Sequence, residues 1–245
     1  MPNIFITGSG RRIGRGLALK FADKGWNVGI HYFNSAEMAN KTYSEVLAKG
    51  VKAVLVKGDV RNYSEMESAL NEFVEKVGVP DVLINNSGVF PEMKKVEDIS
   101  PEFWEDTMKA NLFSEFFCSK IYRKILNGSE NKQGRIINIA SLGSIEIWKE
   151  RIPYNVSKGG LIQLTKGLAR EFAPEISVNC IMPGTILIPD EAPDTDSVII
   201  NKDRIPMKRH GDINDIFDAV YFFATCSRFI TGQFLMVDGG ANLIK

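Results

Sequence analysis

Short apolar runs rich in β-branched residues alternate with longer segments of helical periodicity, and this alternation constrains the fold more than any other feature of the chain. The runs are predicted strands at 4–7, 27–32, 52–56, 81–85, 135–140, 177–182 and 234–237. The intervening segments are predicted helices at 13–24, 36–49, 63–77, 101–127, 153–172 and 212–226. The strands are largely apolar, which is typical of a parallel sheet covered by helices on both faces. We therefore predict an α/β fold with one doubly wound, seven-stranded parallel sheet.

Several predicted helices carry recognisable end signals. Ser100 is expected to cap the fourth helix, with Pro101 at its first position, and Asp212 is expected to cap the last. Gly25 and Gly50 follow helical segments, where a left-handed residue is favoured. These signals support the predicted helix boundaries.

Composition excludes several classes of protein. The 245 residues carry 30 basic and 30 acidic side chains, so no excess of positive charge indicates a nucleic-acid or membrane surface. The three cysteines are widely spaced and have no nearby histidine cluster, which argues against disulfides and a metal site. No linker, repeat or secretory leader is recognisable, so we predict a single cytoplasmic domain over residues 1–245.

The segment between Met182 and Asp212 breaks the alternation. It contains four prolines and an acidic patch at Asp190, Glu191, Asp194 and Asp196. A long connection in a compact domain is either a functional lid or a solvated surface loop. Because it follows a strand, and ligands bind at the carboxyl ends of strands in such sheets, we predict a substrate lid at about 184–211.

A glycine-rich turn, from Thr7 to Gly14, joins the first strand to the first helix. Glycines let the backbone approach a pyrophosphate, and the following helix presents free N–H groups and a positive dipole end to that anion. Such a motif alone is weak evidence for a nucleotide site, so a turn with a purely structural role is the alternative.

The end of the second strand distinguishes NADP(H) from NAD(H). An NAD-selective site places an acidic residue there for the ribose 2′-hydroxyl, but this chain has no carboxylate before Glu37. Arg11 and Arg12 lie in the glycine-rich turn instead, and Asn34 and Ser35 could donate to a 2′-phosphate. This pattern favours NADP(H), although the arginines could also point into water.

A phenol and an ammonium group, Tyr154 and Lys158, are spaced to share one helix face. A nearby lysine is expected to lower the pKa of the tyrosine toward working pH, as a general acid–base requires. A Tyr/Lys pair at this spacing on the protein surface is common by chance, so its catalytic interpretation depends on the other residues of the chain. Ser141 lies at a strand end upstream, where a hydroxyl could bind a substrate carbonyl, and Asn111 is a polar residue within an apolar helical stretch.

Taken in chain order, these motifs resemble the short-chain dehydrogenase/reductase family over essentially the whole chain. Thr7–Gly14 resembles its cofactor turn, and Asn85-Asn86-Ser87-Gly88 resembles its NNAG motif, with serine replacing alanine. Further matches are Gly58-Asp59-Val60, Pro183-Gly184, 230–233 and 237–240, and the catalytic tetrad Asn111, Ser141, Tyr154 and Lys158. The resemblance implies a Rossmann-type fold.

The resemblance also implies roles for individual residues. Tyr154 would donate a proton to the carbonyl oxygen, Ser141 would hold that oxygen, and Lys158 would bind the nicotinamide ribose. Asn111 would anchor a water that links Lys158 to solvent. The implied NADP(H) contacts are Gly8, Gly10, Arg11, Arg12, Ile13, Gly14, Tyr32, Asn34, Ser35, Asp59, Val60, Asn86, Ser87, Gly88, Tyr154, Lys158, Pro183, Gly184 and Ile186.

Departures from the family pattern bear on the substrate. Arg12 replaces the middle glycine of the cofactor motif, giving a TGxxxRxG form similar to that of pteridine and dihydromonapterin reductases. Many pteridine reductases carry an aspartate where this chain has Ser141. Ile188 stands where a threonine that contacts the nicotinamide carboxamide is common.

Three functions are compared on this basis. The first is NADPH-dependent reduction of a carbonyl, either a 3-oxoacyl-carrier-protein thioester or a small ketone. The second is reduction of a pterin, and the third is a non-catalytic NADP(H) sensor. The intact tetrad favours an enzyme, and the family resemblance implies a homotetramer or homodimer.

Overall fold

The computed structural model describes residues 1–188 and 201–243. Seven strands form one parallel sheet in the order β3-β2-β1-β4-β5-β6-β7. The strands are β1 (Asn3–Ile6), β2 (Asn27–Tyr32), β3 (Ala53–Lys57), β4 (Val82–Asn85), β5 (Gly134–Ile139), β6 (Ile176–Pro183) and β7 (Phe234–Val237). The predicted doubly wound, Rossmann-type sheet is confirmed.

The helices follow the predicted sequence positions closely. They are α1 (Arg12–Asp23), α2 (Ala36–Leu47), α3 (Tyr63–Lys76), α4 (Pro101–Met108), α5 (Ser114–Asn127), α6 (Ile152–Glu171) and α7 (Ile213–Thr225). Ser100 Oγ accepts a hydrogen bond from Phe103 N at 3.2 Å, and Asp212 caps α7 in a reciprocal capping box with Asp215. Both predicted N-caps are therefore confirmed.

Apolar residues cover the two faces of the sheet separately because successive strand side chains point to opposite faces. Ile4 and Ile6 pack with α1 and α7, whereas Phe5 packs with α3 and α5 on the other face. Leu17 of α1 and Val220 of α7 are among the residues of the first cluster with no exposed surface. The core thus fixes the sheet between two helical layers.

The predicted helix over 101–127 is helical throughout, but its hydrogen-bond pattern changes at its centre. A π-helical segment, Lys109–Phe113, separates α4 from α5. Asn111 lies in this segment with no exposed surface, and its amide bonds the main chain of Val89 through both Oδ1 (2.7 Å) and Nδ2 (2.9 Å). Such π segments occur frequently at functional sites, and this one ties Asn111 to the loop after β4.

Candidate active site

A cleft of about 640 Å³ opens at the carboxyl ends of the central strands. The strand order reverses between β1 and β4, and this is where open α/β sheets bind their ligands. Predicted cofactor residues that line the cleft are Gly8, Arg11, Arg12, Ile13, Gly14, Tyr32, Asn34, Ser35, Asp59, Val60, Asn86, Ser87, Gly88, Tyr154 and Lys158. The fold therefore brings most of the predicted cofactor contacts to one place.

The glycine-rich turn has a backbone that admits few side chains. Gly8 has φ +63°, and a Cβ at Gly14 would lie 2.6 Å from Asn86 Nδ2 and 2.8 Å from Ser9 Cα. Arg12 has φ 54°, so this non-glycine residue adopts the left-handed conformation that glycine favours. The cost of that conformation, about 1–2 kcal/mol, marks the turn as a strained segment.

The start of α1 is open toward the cleft. Arg11 is the N-cap residue but makes no side-chain capping bond, and the first turn contains no acidic residue. A helix start of this kind presents N–H groups and a positive dipole end to an anion. Asn86 Nδ2 donates to the carbonyl oxygens of Thr7 (2.9 Å) and Gly8 (3.2 Å), which holds the turn against the loop after β4.

His31 connects the two strand ends beside this turn. Its Nδ1 accepts from Gly8 N at 3.0 Å, and its Nε2 lies 2.9 Å from the carbonyl oxygen of Gly58. These partners require a neutral ring with the proton on Nε2, because Nδ1 must remain an acceptor. Burial lowers the pKa of His31 from 6.5 to about 4, although the Gly58 carbonyl and the charge of Asp59 oppose it.

Asp59 and Arg61 form an ion pair that lines the cleft. Arg61 Nη2 lies 2.8 Å from Asp59 Oδ2, its Nη1 lies 2.6 Å from Asp106 Oδ1, and its guanidinium lies 5.7 Å from the centre of the Phe33 ring. Burial alone would raise the pKa of Asp59, but the hydrogen bonds and charge of Arg61 lower it. Arg61 thus holds an anionic Asp59 beside the cleft.

The four residues of the predicted tetrad come from three different segments. Tyr154 and Lys158 lie on α6, Asn111 lies in the π segment, and Ser141 follows β5. Asn111 Nδ2 also donates to Ser157 Oγ on α6 at 3.2 Å, and Lys158 Nζ donates to the Ile139 carbonyl oxygen at 3.0 Å. All four side chains are buried, so the fold shields them from bulk water.

The predicted lowering of the Tyr154 pKa is wrong for this arrangement. Burial raises the pKa of the Tyr154 phenol to about 12, against the lowering effects of a Ser141 hydrogen bond and the Arg151 charge. Burial makes the phenolate costly, and this outweighs the Ser141 hydrogen bond and the Arg151 charge. The phenol is therefore strongly protonated, as a proton donor must be.

Aromatic rings enclose Tyr154 on two sides. The Phe90 ring meets it edge-on with centroids 4.7 Å apart, and the Trp148 ring is stacked at 5.9 Å with an interplanar angle of 11°. Arg151, which is 1% exposed, lies 4.3 Å over the Phe90 ring and donates to the Pro91 carbonyl. These contacts join the loops after β4 and β5 around the phenol.

Four predicted cofactor residues do not line the cleft. A Cβ at Gly10 would lie 2.9 Å from Ala39 Cβ, so this glycine lets the turn pack against α2. Pro183 ends β6, Gly184 lies against Asp238, and Ile186 forms a bridge with Gly211. Their contact with a cofactor remains a prediction. The acidic part of the predicted lid, within 189–200, lies outside the described residues.

Seven further residues line the cleft that the sequence did not indicate, namely Phe33, Arg61, Val89, Phe90, Ala110, Ile139 and Ala140. Most of them are immediate neighbours of predicted residues at strand ends, so their position could have been inferred. The contacts of His31 with Gly8 and Gly58, and of Arg61 with Asp106, join segments that are distant in the chain, and no local pattern reveals them.

The described part of the chain contains neither a metal-binding cluster nor a membrane-spanning helix. Residues 1–188 and 201–243 contain no group of three or more His, Cys, Asp or Glu side chains arranged to bind a metal ion. Over the same ranges, no helix has the length and apolar character needed to cross a membrane.

Comparison with known proteins agrees with this site. Residues 8–242 match the family model described as enoyl-(acyl carrier protein) reductase. The chain is 34% identical over 244 residues to 3-oxoacyl-[acyl-carrier-protein] reductase FabG of Staphylococcus epidermidis, covering 96% of each protein. It is also 34% identical to (2S)-[(R)-hydroxy(phenyl)methyl]succinyl-CoA dehydrogenase subunit BbsD of Thauera aromatica, covering 97% of this chain and 95% of that protein.

A solved structure gives the same result at the level of the fold. Gluconate 5-dehydrogenase from Burkholderia cenocepacia, in complex with NADP and tartrate, superimposes with a TM-score of 0.89 at 29% identity. That alignment covers 100% of this chain and 96% of the other. The chain therefore belongs to the short-chain dehydrogenase/reductase family and is an oxidoreductase that interconverts a carbonyl group and an alcohol.

Proposed function

We propose that this protein is an NADPH-dependent reductase of a 3-oxoacyl thioester or a small ketone, with Tyr154 as the proton donor. The observation that carries this proposal is the meeting of two independent motifs in one cleft. The glycine-rich turn and the Tyr154/Lys158 pair both line it, although the two motifs are far apart in the chain.

The cleft fits a dinucleotide. Gly8 and Gly14 leave a backbone cradle that a Cβ would fill, and α1 presents its uncapped start to that cradle. Asp59 and Val60 would contact the adenine, and Tyr154 and Lys158 would contact the nicotinamide ribose. The bound dinucleotide would supply the hydride.

The preference for NADP(H) rests on charge. Arg11 and Arg12 line the cleft near the end of β2, whereas Phe33, Asn34 and Ser35 offer no carboxylate there. A guanidinium binds a 2′-phosphate by charge-assisted hydrogen bonds, and a ribose 2′-hydroxyl lacks that charge. The NADP bound by the Burkholderia gluconate 5-dehydrogenase supports this preference.

The proton chemistry follows from the environment of Tyr154. Its raised pKa keeps the phenol protonated until a carbonyl oxygen accepts the proton. Ser141 would position that oxygen, and Lys158 would stabilise the phenolate left behind. Asn111 would anchor a water beside Lys158, through which solvent returns the proton.

The substrate side favours carbonyl reduction over the pterin alternative. Ser141 supplies a hydroxyl where many pteridine reductases carry an aspartate, and Phe90 and Trp148 provide an apolar wall beside Tyr154. The two sequence relatives named above have an acyl-carrier-protein or a coenzyme A substrate in their names, so a thioester substrate takes precedence. The catalytic tetrad and those relatives also weigh against a sensor without activity.

The assembly and location are inferred from family and surface. Phe113, which directly precedes α5, and Phe116 on α5 are each 44% exposed, and Val156 on α6 is 43% exposed. Such an apolar face suits a homotetramer or homodimer. We propose a cytoplasmic enzyme of one domain, whose substrate lid spans about 184–211.

The test is NADPH oxidation with an acetoacetyl thioester and several diketones, with NADH run in parallel. Turnover should require NADPH, and Tyr154→Phe should lower kcat by about 10²–10⁴-fold while NADPH still binds, because only the proton donor is removed. Tight NADPH binding without turnover of any carbonyl would contradict the proposal.

A further inference from the structure

Glu115 is a buried carboxyl group that the proposed mechanism does not use. It lies at the second position of α5, directly after the π segment, and is 1% exposed. Its Oε1 lies 3.9 Å from Lys158 Nζ, and the Lys158 side chain is itself 6% exposed. A fully buried acid beside a catalytic lysine requires a physical reason, because burial of a charge is costly.

The two carboxylate oxygens of Glu115 are held differently. Oε2 accepts a hydrogen bond from Ser114 Oγ at 2.7 Å. Oε1 is buried and has no hydrogen-bond partner among the described residues. The cation that faces Oε1 is Lys158, so the free oxygen is directed toward the lysine of the tetrad.

Lys158 depends on this neighbour. Its ammonium group donates to the Ile139 carbonyl, which is a neutral acceptor. Burial lowers the pKa of Lys158, whereas the charge of Glu115 and, to a smaller extent, Cys180 on β6 raise it.

Burial likewise raises the pKa of Glu115, against the charge of Lys158 and the hydrogen bond from Ser114, so each charge of the pair depends on the other. Cys118 on α5 also faces Glu115, and Tyr154 lies one turn from Lys158 on α6; burial raises the pKa of both groups.

We propose that Glu115 is the buried anion that keeps Lys158 charged, and that it thereby sets the pH range in which Tyr154 transfers its proton. Glu115 acts through Lys158 and is a positioning residue, since it does not line the cleft. The inference rests on the proposed function, because it assigns Lys158 its role beside Tyr154.

The consequence is a defined change in the pH profile. Without an anion beside it, a buried lysine loses its proton at lower pH. Lys158 then ceases to bind the ribose and to stabilise the phenolate within the assay range. In Glu115→Gln, which keeps the shape and removes the charge, the alkaline limb of kcat/KM should move to lower pH by about one pH unit or more.

The matched variants separate charge from packing. Glu115→Asp keeps the charge but withdraws it by one methylene, so its alkaline limb should lie between those of the wild type and Glu115→Gln. Glu67→Gln removes a carboxylate from an exposed pair with Lys124 and should leave the profile unchanged. Glu115→Asp also provides the test if Glu115→Gln does not fold, which circular dichroism would show.

A second measurement does not depend on turnover. Because the Glu115 carboxyl is ionised in this proposal, it should contribute no protonated-acid C=O band to the infrared spectrum at neutral pH. The protonated-acid region of the wild type and of Glu115→Gln should therefore be the same. A protonated-acid band assigned to Glu115 would overturn the proposal, as would a uniform loss of activity with an unmoved alkaline limb. If the wild type reduces no carbonyl, the proposed function fails, while the infrared result still reports on Glu115.

Discussion

His31 makes stability and nucleotide binding depend on pH in a way that the structure allows to be calculated. Its Nδ1 must stay unprotonated to accept from Gly8 N, and its pKa is lowered from 6.5 to about 4. In the unfolded chain the imidazole binds a proton near pH 6.5, whereas in the folded protein it does so only near pH 4. The unfolded state therefore binds more protons between these values, and stability falls as the pH falls.

The magnitude follows from the two pKa values. A tenfold change in proton affinity is worth about 1.4 kcal/mol, so the full effect is about 3 kcal/mol. Above about pH 6.5 the imidazole is neutral in both the folded and the unfolded state, so it does not change the free energy of unfolding. By about pH 5, roughly 2 kcal/mol of the free energy of unfolding should be lost. The effect is fully developed only below about pH 4, where the folded protein also takes up the proton.

The assay is urea unfolding at several pH values between about pH 7.5 and about pH 5, for the wild type and His31→Gln. Glutamine retains a donor and an acceptor but does not titrate there. The variant should be less stable than the wild type at neutral pH. Between about pH 7.5 and about pH 5, the wild type should lose about 2 kcal/mol more of its free energy of unfolding than the variant does. His210→Gln, at the other histidine of the chain and outside the cleft lining, is the matched control for a histidine-to-glutamine replacement.

Nucleotide affinity gives a second readout. Protonation of His31 removes the acceptor of Gly8 N, so the glycine-rich turn should loosen and NADPH affinity should weaken as the pH falls. Identical pH slopes in the wild type and His31→Gln would refute the argument, because they would show that the buried imidazole does not control the loss of stability.

Three further predictions concern the turn and a helix end. Replacing Arg11 and Arg12 together by alanine should weaken NADPH binding about 10- to 100-fold more than NADH binding, since the charge contacts to a 2′-phosphate are lost. Titration of protein fluorescence checks this, and equal losses of affinity for the two nucleotides would contradict it. Gly14→Ala should abolish nucleotide binding, because its Cβ would lie 2.8 Å from Ser9 Cα; the same titration would expose an error if affinity were retained. Asp212→Ala should lower the free energy of unfolding by about 1 kcal/mol through loss of the α7 cap, whereas Asp212→Asn should retain most of it, and calorimetry or urea unfolding would measure both.

The fold could be predicted from the sequence because its signals are local. Strand and helix alternate with distinct periodicities, and Ser100 and Asp212 each start a helix through contacts within one turn. The predicted helix over 101–127 did not indicate the π-helical segment at Lys109–Phe113, where Asn111 is bonded to the distant residue Val89. A periodicity of apolar residues does not reveal such a contact.

The sequence by itself determined the sheet, the glycine-rich turn and the Tyr154/Lys158 spacing, since each is written in neighbouring residues. Only the tertiary structure decided the charge environment. It buried Tyr154 enough to raise its pKa, placed Glu115 against Lys158, and put the neutral ring of His31 between Gly8 and Gly58. Burial and electrostatics depend on which distant segments pack together, and that information exists only once the chain has folded.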